Sequence, residues 1–190
     1  DYSTPGIYFI TICTTDHDNY FGDIIDNKIQ YTEQGKIAVS CLGEIEKHFD
    51  NVKIMESVVM PNHVHILIEV MKQTMTNNEN MNISVETPYM ASLHGNRKET
   101  LINNESIKHP DYFLQMNKKS KQIIPLIIQQ YKSAVTRKIG LENGYFGWQS
   151  RFYDVIIRNE KQLFAVKNYI INNINNWEKD KYFKKYVNNN

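Results

Sequence analysis

The chain is poor in cysteine. It has two, Cys13 and Cys41, far apart and outside any Cys-x-x-Cys pair. That excludes a disulfide framework or a zinc knuckle as the organising feature. It also lacks a long apolar run. Nothing approaches the roughly 18 residues of a membrane span, and no secretory signal is visible, so a cytoplasmic protein with no membrane partner is expected. An excess of one charge is missing too: the formal net charge is +1, and bulk charge does not announce a polyanion. One further absence removes an enzyme class. His17, His48, His94 and His109 are followed two residues later by Asn19, Asp50, Asn96 and Asp111. None makes the second His-x-Ser/Thr that a two-histidine phosphoesterase would need.

What is present is a chain of 190 residues, long enough for one domain with a real core. Its charge is unevenly placed. Lys118, Lys119, Lys121, Lys132, Arg137 and Lys138 fall between residues 117 and 139 with no acid among them. The last forty residues are also locally basic. Such a half suits a polyanion, and equally a solvated helical surface.

Gly6 to Thr14 reads as a strand by its β-branched and aromatic content, and its near-continuous apolar character places it inside a sheet. Phe21 to Tyr31 is a small hairpin around Gly22, Asp26 and Asn27. Thr32 caps a helix in which Ile37, Cys41, Leu42, Ile45 and Phe49 recur at helical spacing. Lys53 to Met60 and His63 to Val70 are strands joined through Pro61-Asn62, expected as an antiparallel hairpin. Residues 71–119 are rich in Asn, Thr, Lys and Glu and lack periodicity. They form a polar insertion with one short helix expected near 112–116. Ile123 to Leu141 is a second long helix with a buried stripe of Ile124, Ile127, Ile128, Tyr131, Val135 and Ile139. Gly144 to Trp148 is an aromatic turn, and Phe152 to Arg158 a strand. Asn159 caps a last helix, Glu160 to about Trp177, with Leu163, Val166, Ile170, Ile174 and Trp177 inward.

Alternate residues of a strand share a face. His63 and His65 therefore point one way with Leu67 and Glu69, while Val64, Ile66, Ile68 and Val70 make the core face. Two imidazoles one residue apart are either a metal pair or ordinary residues on an open sheet face. Tyr169 and Asn173 are four apart and share one face of the last helix. Two imidazole nitrogens and an amide oxygen are a donor set that Mg²⁺ or Mn²⁺ accepts. A tyrosine beside such a cation is an oxygen nucleophile favoured toward phenolate.

Six blocks occur in order: Phe9-Ile10-Thr11-Ile12-Cys13-Thr14, Met60-Pro61-Asn62-His63-Val64-His65, Tyr131-Lys132-Ser133-Ala134-Val135-Thr136, Trp148-Gln149-Ser150-Arg151-Phe152-Tyr153-Asp154, Ile157-Arg158-Asn159-Glu160 and Tyr169-Ile170-Ile171-Asn172-Asn173. In these the chain resembles the REP-associated tyrosine transposases, members of the HUH single-strand DNA transposases that use one tyrosine. The resemblance covers nearly all of the chain except 71–119, a region of variable length in the family. It implies a single α+β domain over 1–190, an antiparallel sheet with helices packed mainly on one face, of the ferredoxin-like HUH nuclease type. It places the metal-binding histidine pair on His63 and His65, the nucleophile on Tyr169 and the third, amide-type ligand on Asn173. The family commonly has proline where this chain has Ile174, so the last helix is expected to continue.

The activity so implied is cleavage and rejoining of single-stranded DNA hairpins through a 5′-phosphotyrosine, assisted by Mg²⁺ or Mn²⁺. Lys132, Arg137, Lys138, Arg151 and Arg158 are candidates for phosphate contacts. Trp148, Phe152 and Tyr153 are candidates for stacking on bases, or as readily for core packing. The alternative is a catalytically silent, domesticated hairpin-binding protein of the same fold. Replication initiators and relaxases of the same chemistry match less well. Monomer or homodimer is left open, and the short link from Arg158 to Tyr169 favours a site completed within one chain.

Overall fold

The computed structural model describes residues 5–72, 123–142 and 145–183, which fall within one compact unit. The expected insertion, from residue 73 onward, and the short helix near 112–116 lie outside the described residues, as does Gly144. In chain order the elements are β1 (Gly6–Cys13), β2 (Gly22–Ile25), β3 (Lys28–Tyr31), α1 (Glu33–Leu42), α2 (Ile45–His48), β4 (Val52–Val59), β5 (His63–Val70), α3 (Ile123–Glu142), β6 (Tyr153–Ile157) and α4 (Glu160–Ile171). Four of the strands form an antiparallel sheet in the order β4-β5-β1-β6. The architecture is α+β, as expected, with the apolar β1 inside the sheet.

The pleat sorts β1 and β5 into two faces. Tyr8, Ile10 and Ile12 of β1 and Val64, Ile66, Ile68 and Val70 of β5 are buried in one core with Ala38, Cys41 and Leu42 of α1. The whole expected α3 stripe, from Ile124 to Ile139, joins it. The other face carries the histidines and is crossed by α4. Burial of so much apolar area, at about 25 cal/mol per Å², is what holds β1 and β5 rigid under that second face.

The small hairpin β2–β3 turns at Asp26 and Asn27, with φ of 51° and 57°, the two left-handed residues of a type I′ turn. Thr32 caps α1 by accepting from the Gly35 N–H at 3.1 Å. Gly35 is required for a second reason. A Cβ there would stand 2.0 Å from the Phe21 carbonyl oxygen, so any side chain would push α1 off the hairpin.

Two helices differ from their sequence pattern. The one expected from Thr32 through Phe49 is broken into α1 and α2, with Gly43 as the α1 C-cap. The last helix does not run on to Trp177: α4 stops at Ile171, and 3₁₀ turns follow over Ile174–Lys179. Four asparagines, Asn172, Asn173, Asn175 and Asn176, stand at this break. Asn172 Nδ2 donates to the Asn168 carbonyl at 2.8 Å and Asn176 Nδ2 to the Asn172 carbonyl at 3.0 Å. The same two carbonyls also keep their main-chain donors, the Asn172 and Asn176 N–H groups at 3.0 and 3.1 Å.

Candidate active site

His63 and His65 open β5 beside the end of β1, paired with Cys13 and Thr11. They are 0% and 1% exposed, so this is no open sheet face. Their Nε2 atoms are 3.0 Å apart. Behind them, His63 Nδ1 meets Asn62 Oδ1 at 2.9 Å and His65 Nδ1 meets Thr11 Oγ1 at 2.8 Å. The Phe9 ring lies 5.1 Å from that of His65, and the Tyr182 ring 4.7 Å from that of His63.

Helix α4 brings Tyr169 onto this pair. Its hydroxyl is 3.2 Å from His65 Nε2 of the same chain and donates to Asp180 Oδ2 at 2.9 Å. One turn on, Asn173 Nδ2 donates to the same oxygen at 3.4 Å. Asn173 Oδ1 is buried and has no hydrogen-bond partner among the described residues. The structure thus gathers His63, His65, Tyr169 and Asn173 in one place, the four residues expected there.

Asp180 was not legible in the sequence. It follows Tyr169 by eleven residues, which on a straight helix is roughly 16 Å of rise. Only the break after Ile171 folds the chain back within reach. Lys181 was likewise missed: its ammonium lies 4.5 Å from the Tyr182 ring centre and 5.4 Å from that of Tyr153, at the rim of the site.

Burial holds the imidazoles neutral. It carries His63 well below the ordinary histidine value, with His65, His17 and Lys181 adding repulsion. It brings His65 from 6.5 to about 4, against the upward pull of Asp180. Neutral imidazoles are the form that binds metal. Tyr169 moves the other way, to about 12, through burial first and then the hydrogen bond and charge of Asp180. A histidine whose pKa is lower folded than unfolded binds its proton more readily when unfolded. The stability contribution is therefore complete above pH 6.5 and is lost as pH falls from 6.5 toward 4. Thermal melts across that range are expected to show a level Tm above about pH 7 and a fall below it. A Tm unchanged down to pH 5 would contradict two buried neutral histidines.

His63, His65 and Asp180 form a group able to hold a metal ion, with ligand atoms within 4.8 Å of one another. The residues fit a divalent cation on two counts. Two ligands on adjacent corners of an octahedral ion at ~2.1 Å stand roughly 3.0 Å apart, which is the observed Nε2–Nε2 separation. The amide oxygen of Asn173, without a partner among the described residues, is a buried acceptor that a cation would satisfy.

The residues expected to touch DNA are not gathered together. Lys132 donates its ammonium to the carbonyls of Gln149 and Arg151 at 2.7 and 3.3 Å. Lys138 pairs with Glu44 at 3.1 Å, on the helix layer away from the histidines. Arg137 neighbours it on α3. Trp148 and Phe152 pack against the core, with the Trp148 indole donating to the Lys132 carbonyl at 3.3 Å. Arg158 follows the end of β6 that pairs with Ile7, far from Thr11 and His65. Arg151 is exposed, two residues before Tyr153, which pairs with Thr11. Arg151 therefore lies closest, along the strand register, to the histidine end of the sheet.

The same fold occurs in a solved structure described as a REP-associated tyrosine transposase bound to a REP hairpin. The two align with a TM-score of 0.54 at 16% identity, over 97% of this chain and 74% of that one. The chain has the fold of a tyrosine transposase. In sequence, an uncharacterized protein of Haemophilus influenzae is 29% identical over 184 residues, covering 96% of this chain and 88% of its own. No protein-family model matches. No helix among the described residues is long and apolar enough to cross a membrane.

Proposed function

We propose that the chain is a REP-associated-type tyrosine transposase, a metal-assisted transesterase that cleaves and rejoins single-stranded DNA at hairpins. The observation that carries this reading is the Tyr169 hydroxyl, held 3.2 Å from His65 Nε2 and 2.9 Å from the Asp180 carboxylate. A phenol so placed is poised between a metal pair and a proton acceptor. His63 and His65 would hold Mg²⁺ or Mn²⁺ through Nε2, with Asn173 Oδ1 as the amide ligand. When bound, the ion polarises and orients the scissile phosphate.

The chain's own groups do the rest. Asp180 takes the phenol proton along the existing hydrogen bond. Tyr169 Oη attacks phosphorus in line, the bond to the 3′ oxygen breaks, and that oxygen leaves as a 3′-OH after gaining a proton. The product is a 5′-phosphotyrosine, which keeps the phosphodiester energy, so the same or another 3′-OH can reverse the step. Lys181 at the rim, with Arg151 toward the same end of the sheet, would supply positive charge for the strand. The contact of Tyr169 with His65 of its own chain supports a site completed within one chain.

The test is a labelled single-stranded hairpin with Mn²⁺, resolved on a denaturing gel. A covalent adduct is expected from the wild-type chain. Asp180→Asn, which keeps the shape and loses the proton acceptor, is expected to slow adduct formation by about 10²-fold with hairpin affinity retained. A faster reaction in that variant would show that the Asp180 contact restrains Tyr169 and does not activate it. No adduct from the wild-type chain, with the hairpin bound, would favour the catalytically silent hairpin-binding reading.

A further inference from the structure

We infer that Asn62 is a positioning residue that fixes the tautomer of His63, leaving its Nε2 lone pair aimed into the site before any ion arrives. The inference rests on reading the site as a metal centre, and it concerns a residue outside the ligand set.

Asn62 is fully buried and pinned at both ends. Its backbone carbonyl accepts from the Thr14 N–H and the Thr14 hydroxyl, each at 2.9 Å. Its side-chain nitrogen donates to the carbonyls of His17 at 3.0 Å and Tyr182 at 2.8 Å. A carbonyl oxygen can only accept, and an amide has two N–H donors on one atom. The two ends of the amide therefore cannot be exchanged: turning it over would set its oxygen against two other oxygens. Oδ1 is thus the atom that faces His63 Nδ1 at 2.9 Å. An amide oxygen has no hydrogen to give, so Nδ1 carries the ring proton and Nε2 is bare.

His65 is built differently. Its Nδ1 faces the Thr11 hydroxyl, which can donate or accept. With His63 Nε2 bare, the 3.0 Å contact between the two Nε2 atoms is a hydrogen bond donated by His65. Thr11 then donates into His65 Nδ1. For His65 to ligate through Nε2, its proton must sit on Nδ1, where Thr11 can accept it. The pair is therefore asymmetric. His63 is preset by an acceptor that cannot change role, and His65 is adjustable through one that can. Partners behind a ligating histidine are worth about 10–100-fold in metal affinity.

Long-range ¹H–¹⁵N correlation spectra of the chelator-treated protein read the tautomers directly. Wild-type His63 is expected with its proton on Nδ1. In Asn62→Ala the His63 signals should move toward the Nε2–H form, and Mn²⁺ affinity by calorimetry should fall about 10–100-fold. Asn62→Asp still presents an oxygen to His63 and is expected to keep the Nδ1–H form, although it forfeits both links to the carbonyls. A wild-type His63 protonated on Nε2 overturns the inference without any variant. So does a folded Asn62→Ala with an unchanged His63 tautomer and unchanged Mn²⁺ affinity. If wild-type His63 has the expected tautomer and Mn²⁺ does not bind, the metal reading fails and the positioning role of Asn62 stands.

Discussion

Tyr169→Phe is expected to abolish the covalent protein–DNA adduct while leaving the fold and the hairpin affinity intact. The substitution deletes one oxygen. The ring keeps its edge contact with Phe9, 6.0 Å between centres, and Tyr169 is 40% exposed, so no large cavity forms. The lost bond to Asp180 is worth about 1 kcal/mol net, a small part of a domain's stability. Loss of the only nucleophile of a displacement typically costs at least ~10⁴-fold in rate. The adduct should therefore fall below detection on a denaturing gel, with filter binding of the hairpin unchanged. An adduct that persists in Tyr169→Phe would sink the assignment and turn attention to Tyr182, whose ring stands 4.7 Å from that of His63.

The second large effect belongs to His65. His65→Ala is expected to remove Mn²⁺ binding at millimolar concentration and cleavage with it, again sparing the hairpin. His65 is the group that ties the site together: Nε2 touches both His63 and Tyr169, and Nδ1 touches Thr11. Truncating a buried ring also leaves a void, so a loss of stability on the order of 3 kcal/mol, read as a lower Tm, is expected. Chelation of the wild-type protein gives the same loss of cleavage without that void. Equal cleavage in excess EDTA would remove the metal from the reaction, whatever the variant does.

Much of this was legible because it depends on short-range periodicity. The alternation in β5 separates His63 and His65 from Val64 and Ile66, and the spacing of four puts Tyr169 beneath Asn173. Both follow from the geometry of one element. The α3 stripe was legible for the same reason. Asp180, Lys181 and Asn62 were not. Asp180 reaches Tyr169 only because the regular helix ends at Ile171 and 3₁₀ turns follow over Ile174–Lys179, a break that the apolar periodicity running on to Trp177 does not register. Asn62 acts through the carbonyls of His17 and Tyr182, 45 and 120 residues away, and backbone acceptors carry no residue signature. Lys132, Lys138, Trp148 and Phe152 look like a nucleic-acid surface in composition. In the fold their polar and aromatic groups are engaged with carbonyls, Glu44 and the core.

The histidines open β5 and the long connection leaves from its other end, at Val70, which pairs with Gly6 and Val52. Seven residues of strand put roughly 24 Å between the two. An insertion made after Val70 therefore enters the described fold at the end of β5 opposite His63 and His65. A fluorophore or affinity handle spliced in at that end of the strand is expected to leave the pairing of His63 and His65 with Cys13 and Thr11 unchanged.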